Sequence, residues 1–193
     1  APSLSVLSDT LIELVEAAHP IAAGTADLQH SNGLASFAER YPDRFVQFGI
    51  SEQNMVSAAA GMATTGLIPY VATFASFLGL LTCEQIRMDV AYCAQPVRLI
   101  GHHTGISMGF YGTSHHATED ISTMRAIADL TVISPSDGQQ YKQLLRESAV
   151  YQQPIYFRTH RGHDPVVYDE SETFQIGNAK VHAIGKDVTI IAC

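Results

Sequence analysis

Short apolar runs alternate with helix-period segments along most of this chain, and that alternation limits the possible folds more than any other feature. Runs at 21–23, 45–50, 68–73, 97–101, 130–134 and 155–158 are separated by stretches whose apolar residues recur at helical spacing. The pattern predicts an α/β fold, a mainly parallel sheet with helices on both faces. Such a sheet needs apolar residues to bury, and 46 % of the 193 residues are hydrophobic against 16 % charged. That balance excludes a disordered chain. Eleven Lys and Arg against nineteen Asp and Glu give a net charge of −8 with no basic cluster. Neither nucleic acid nor an anionic membrane surface is therefore expected as a partner.

Local signals set the expected boundaries. Ser8 is read as the cap of a helix carrying Leu11, Leu14, Val15 and Ala18, and a second helix over 33–41 stops at Pro42. Ser51 is read as the cap of a helix over 52–65 that Gly66 ends. This helix is rich in small residues, and Gly61 in its interior costs about 1 kcal/mol against alanine, so close packing is expected there. Further helices are predicted over 78–92, from a Thr118 cap with Glu119 and Asp120 in the first turn, and over 137–150. The stretch 102–116 lacks periodicity and reads as a long loop, the kind that tends to carry function. Residues 1–160 read as one domain. Residues 161–193 read as a linker and the start of a second, with a strand pattern at 188–192. The chain opens Ala1-Pro2 without methionine and stops inside that last strand pattern, so it is expected to be a piece of a longer protein.

Cys83, Cys93 and Cys193 form neither a disulfide framework nor a zinc signature, and a reducing cytoplasm is the expected compartment. No apolar stretch is long enough to span a membrane. Glu52 stands directly after a predicted strand, at the carboxyl edge where α/β folds bind ligands. One reading is a glutamate that only complements the helix dipole. Its apolar and small neighbours point further, because burial favours the protonated form that a proton relay needs. Phe74 and Phe77, spaced i and i+3, are either core rings or a face for a flat heteroaromatic ring. His102, His103, His115 and His116 flank the long loop; proton transfer or phosphate contact suits them better than a metal site, since no ligand spacing is present. Arg158, ending the last strand, suits an anion or a surface ion pair.

Several separated motifs stand in register with one family. They are Gly24-Thr25-Ala26-Asp27-Leu28; Phe48-Gly49-Ile50-Ser51-Glu52-Gln53-Asn54-Met55; Thr73-Phe74-Ala75-Ser76-Phe77; and the loop from His103 through Gly112-Thr113-Ser114-His115 to Thr118-Glu119-Asp120-Ile121. Over about 8–160 the chain resembles the pyrimidine-binding domain of transketolases, above all the C-terminal subunit of split, two-gene forms.

That resemblance implies thiamine diphosphate shared with a partner. Asp27, Ile50, Glu52, Phe74 and Phe77 would contact the cofactor. Glu52 would hold the proton on the pyrimidine nitrogen that favours the imino form, so that the cofactor's C2 can be deprotonated and a two-carbon ketol unit carried from a ketose to an aldose. His115 would face the substrate as a second catalytic residue. Ser31, His103 and Arg158 would hold a sugar phosphate. Two family residues differ: Leu80 stands for a third aromatic, and Tyr111 for an aspartate that reads a sugar hydroxyl. The family's N-terminal arginine has no counterpart in Ser3-Leu4-Ser5-Val6. No Gly-Asp-Gly stretch with a following asparagine occurs. The Mg or Ca that binds the diphosphate is therefore expected on an N-terminal transketolase subunit, assembled with this chain as a homodimer or heterotetramer. A 2-oxo acid dehydrogenase beta subunit, a deoxyxylulose-phosphate synthase and a non-catalytic assembly subunit are the competing readings.

Overall fold

The computed structural model describes residues 3–161 and 164–191. Six parallel strands form one sheet in the order β2-β1-β3-β4-β6-β5. They are β1 (Ile21–Thr25), β2 (Phe45–Gln47), β3 (Ile68–Phe74), β4 (Arg98–His102), β5 (Thr131–Ile133) and β6 (Ile155–Arg158). The helices are α1 (Ser3–Glu16), α2 (Ala35–Arg40), α3 (Glu52–Ala63), α4 (Cys83–Gln85), α5 (Asp120–Met124) and α6 (Gly138–Ser148).

Side chains alternate across the sheet as strand geometry requires. Tyr70, Ala72, Ile100, Ile155 and Phe157 pack under α1, α2 and α6, whereas Val71, Leu99 and Tyr156 pack under α3 and its neighbours. Both faces are buried, as expected of a parallel sheet. After β1 the chain moves outward to β2 and returns to lay β3 on the other side of β1. This reversal opens a crevice at the carboxyl ends of β1 and β3.

Several local expectations are corrected. The helix predicted over 78–92 is helical but winds mostly as π-helix, over Phe77–Leu81 and Ile86–Ala91, with the single turn α4 between. Gly79, lacking a side chain, lets this segment lie against α5; a Cβ there would stand 3.3 Å from the Cα of Asp120. Ser8 sits inside α1 rather than at its start. Its Oγ donates to Gly33 O at 2.5 Å and accepts from Phe37 N at 3.3 Å, so it satisfies the first turn of α2 from across the interface. Ser51 precedes α3 without a side-chain capping bond. Thr118 does not cap α5: its N and Oγ1 donate to the carboxylate of Glu119, which is the N-cap residue. Gly61 is exposed with open space around it, so the close packing expected there is not made within this chain.

The predicted strand over 45–50 stops at Gln47, which frees residues 48–51 to form the turn into α3. After β6 no strand forms among the described residues, including 188–191, where the sequence predicts one. The segment that follows is strapped to α6. Asp137 accepts from Gln140 N as the cap of α6, and its Oδ2 accepts from Val167 N and Tyr168 N at 3.0 and 2.9 Å. Phe174 and Ile176 pack against the core on the same side. Arg98, fully buried in β4, donates to the carbonyls of Ser148, Tyr151 and Gln153 and so closes the C-terminal end of α6.

Candidate active site

Parallel strands deliver their carboxyl ends to one edge, and the residues singled out by sequence gather there. Glu52, first residue of α3, is 6 % exposed, and Thr73 Oγ1 donates to its Oε1 over a long 3.5 Å. Thr73 is in β3, so the bond ties the start of α3 to the strand that bears Phe74. Phe74 and Phe77 stand 5.7 Å apart between ring centroids. His103 lies 4.6 Å from Phe74, and His115 lies 5.8 Å from Phe74 and 5.3 Å from Phe77. Tyr111 covers His115 in a stack at 4.6 Å and 29°. The long loop contributes these groups through a bridge between Gly105 and Ala117, whose backbone groups exchange two hydrogen bonds of 2.9 Å.

Two histidines are held neutral. Burial lowers the pKa of His102 to about 3, aided by His103 beside it, and burial lowers that of His103 to about 4, aided by Arg161. His102 Nδ1 is 2.8 Å from Thr159 Oγ1. The buried Nδ1 of His103 has no protein partner among the described residues. A neutral His103 meets a ligand as a hydrogen-bond donor or acceptor and not as a cation.

The other expected site residues lie on the same edge. Asp27 follows β1 with φ +60°, exposed, its N donating to Gln47 Oε1 at 2.6 Å. Ser31 is exposed in the following turn, and Ile50 is 85 % exposed just before Glu52. Leu80 is also exposed. Arg158 is the one whose environment sequence missed. Its Nε donates to Asp120 Oδ2 at 3.0 Å, and Tyr156 Oη donates to the same oxygen at 2.9 Å. Asp120, read from sequence only as a dipole-complementing residue, is a buried partner at the site's edge. Among the described residues no group of three His, Cys, Asp or Glu side chains is placed to hold a metal ion.

A reversal point in a parallel sheet, carrying a buried carboxylate and a cup of aromatic rings, is the layout of an α/β ligand-binding domain. The chain belongs to the transketolase pyrimidine-binding domain family, which residues 4–165 match. It is 41 % identical over 186 residues to a Methanocaldococcus jannaschii protein described as a transketolase C-terminal section, covering 95 % of this chain and 59 % of that one. It is 34 % identical over 186 residues to an apulose-4-phosphate transketolase subunit of Phocaeicola vulgatus, covering 96 % and 60 %. The chain thus spans about 60 % of the length of these relatives. Among solved structures, a split-gene transketolase described as an inactive beta4 tetramer superposes with a TM-score of 0.80 at 32 % identity, over 90 % of this chain and 56 % of that one.

Proposed function

We propose that this chain supplies the pyrimidine-binding half of a thiamine diphosphate-dependent transketolase, which moves a two-carbon ketol unit from a ketose phosphate to an aldose phosphate. The observation that carries the reading is the position of Glu52, buried at the crevice and bonded to Thr73, one residue from the ring of Phe74. The residues fit an aminopyrimidine. Phe74 and Phe77 offer flat faces, and the Glu52 carboxylate receives from the described residues only that one long bond, so it is free to engage a ring nitrogen. When bound, thiamine diphosphate supplies the carbanion chemistry. Glu52 holds a proton at the pyrimidine nitrogen; Asp27 and Ile50 border the same ligand; His115 faces the substrate. Ser31, His103 and Arg158 take the sugar phosphate, and Tyr111 lines the acceptor side.

The diphosphate and its Mg or Ca are assigned to an N-terminal transketolase subunit. The exposed apolar side chains of Ile50, Leu80 and Leu81 beside the N-terminal end of α3 support a covered face there, in a homodimer or heterotetramer. Residues 161–193 are assigned to a linker and the opening of a C-terminal transketolase domain. The exposed Val181, Ile184, Val188, Ile190 and Ile191 support this, since they find no cover within the described chain. No helix among the described residues is long and apolar enough to cross a membrane. Pentose phosphates are the proposed sugars, and the free thiols of Cys83 and Cys93 support a reducing cytoplasm as the place of work.

The test is reconstitution with the diphosphate-binding subunit, thiamine diphosphate and magnesium. Ketol transfer that is lost in the Glu52→Ala complex supports the proposal. A fully assembled complex without ketol transfer, or a chain that stays monomeric beside that subunit, contradicts it.

A further inference from the structure

Two residues of β6 meet on one carboxylate oxygen of Asp120, which lies 36 and 38 positions before them in the chain. Tyr156 and Arg158 are two apart in β6 and so project from the same sheet face. Gly101 in the adjacent β4 makes room for the phenol, since a Cβ there would come within 2.5 Å of Tyr156 Oη. The hydroxyl thereby reaches Asp120 Oδ2, which also takes the Nε–H of Arg158. Asp120 is 1 % exposed and Arg158 only 11 % at the side chain. Burial, then the nearby Asp120, raises the Tyr156 pKa well above the ordinary phenol value, so the phenol stays a donor. Among the described residues nothing accepts from Nη1 or Nη2 of Arg158. Nη2 lies 4.0 Å from where a Cβ on Gly105 would stand, at the start of the long loop.

We propose that Asp120, steadied by Tyr156, is a positioning residue for Arg158, fixing the guanidinium through Nε so that both Nη groups are presented to the phosphate of an acceptor sugar. This rests on the reading of Arg158 as a phosphate contact. A guanidinium is a planar fork, and anchoring Nε leaves the Nη pair as the bidentate edge. An unanchored arginine must lose its rotamer freedom when the phosphate binds, which weakens binding. Asp120 and Tyr156 remove that freedom in advance. Tyr156 matters because a buried carboxylate with one partner is poorly compensated, and Asp120 Oδ1 has no partner at all.

The experiment uses the complex reconstituted with the diphosphate-binding subunit, and measures KM and kcat for glyceraldehyde 3-phosphate and for glyceraldehyde. The two acceptors differ only in the phosphate. Arg158→Ala sets the scale and should raise the KM ratio of phosphorylated to free acceptor by about tenfold or more, as expected for a lost charged hydrogen bond. Asp120→Ala should raise the ratio in the same direction by roughly tenfold, while Asp120→Asn, which keeps an acceptor oxygen, stays within about threefold of wild type. The double variant Asp120→Ala/Arg158→Ala should be no worse than Arg158→Ala alone. If Asp120→Ala does not fold, Tyr156→Phe replaces it, and a smaller rise of the same ratio is expected. A selective effect of Arg158→Ala with no selective effect of the Asp120 or Tyr156 variants overturns the positioning role alone. No selective effect of Arg158→Ala overturns the phosphate reading and the positioning role together.

Discussion

Tyr111 lies flat on His115, ring centroids 4.6 Å apart with 29° between planes, so a phenol covers the histidine proposed to face the substrate. Tyr111 itself is 54 % exposed and adjoins Phe110 at 4.3 Å, giving this rim of the site an aromatic character. A neutral ring in place of a carboxylate cannot read a sugar hydroxyl by the same charged hydrogen bond.

Tyr111→Asp should therefore shift the ratio of kcat/KM values between hydroxylated and unhydroxylated acceptor aldehydes by roughly tenfold toward the hydroxylated one. Tyr111→Phe, which keeps the stack, separates the ring from its hydroxyl. Competition assays in the assembled enzyme measure both. An unchanged ratio in Tyr111→Asp contradicts a substrate-facing Tyr111.

The buried histidines make stability depend on pH with a definite sign. Burial pulls the folded-state pKa of His102 to about 3, below the ordinary 6.5. Between those values the unfolded chain binds a proton that the folded chain refuses. Stability is then fully present above about pH 6.5 and falls as the pH drops, by about 1 kcal/mol per unit for this one residue. His103, lowered to about 4, adds the same sign between pH 6.5 and 4. Urea midpoints from pH 7.5 to 4.5 should fall steadily, and the His102 ring should stay neutral by NMR down to pH 4. Titration of His102 near pH 6.5 contradicts its burial.

Arg98 ties β4 to the end of α6 through three carbonyls. Arg98→Met fills similar space but leaves the carbonyls of Ser148, Tyr151 and Gln153 without their donors. The expected loss is about 3 kcal/mol in urea unfolding, from buried acceptors left unsatisfied. A loss below about 1 kcal/mol would show that water replaces the guanidinium there.

The parallel sheet was legible because its strands are mostly apolar runs bounded by proline, glycine and polar residues, and burial on both faces keeps the central ones largely apolar. The ring cluster was legible in part: Phe74 and Phe77 follow a strand at helical spacing, and the histidines crowd one loop. Contacts made by the order of strands were not. Asp120 and Arg158 are 38 residues apart and meet only because β6 inserts beside β4 and its side chains reach the start of α5. Likewise Ser8 and Thr118 looked like caps for their own helices, whereas Ser8 satisfies another helix and Thr118 binds its neighbour's carboxylate. Serine and threonine hydroxyls have several backbone and side-chain partners within reach, and packing chooses among them.

In the proposed reaction Glu52 governs the proton on the pyrimidine ring before any sugar binds. Its effect is therefore read without a sugar, as hydrogen–deuterium exchange at C2 of thiamine diphosphate in the assembled complex. Glu52→Gln keeps the size and hydrogen-bonding capacity of the side chain but cannot hold the proton in the same way. Exchange in that complex should be slower by about 10²–10⁴-fold, with fold and subunit assembly intact. Exchange at the wild-type rate in the Glu52→Gln complex contradicts the role of Glu52.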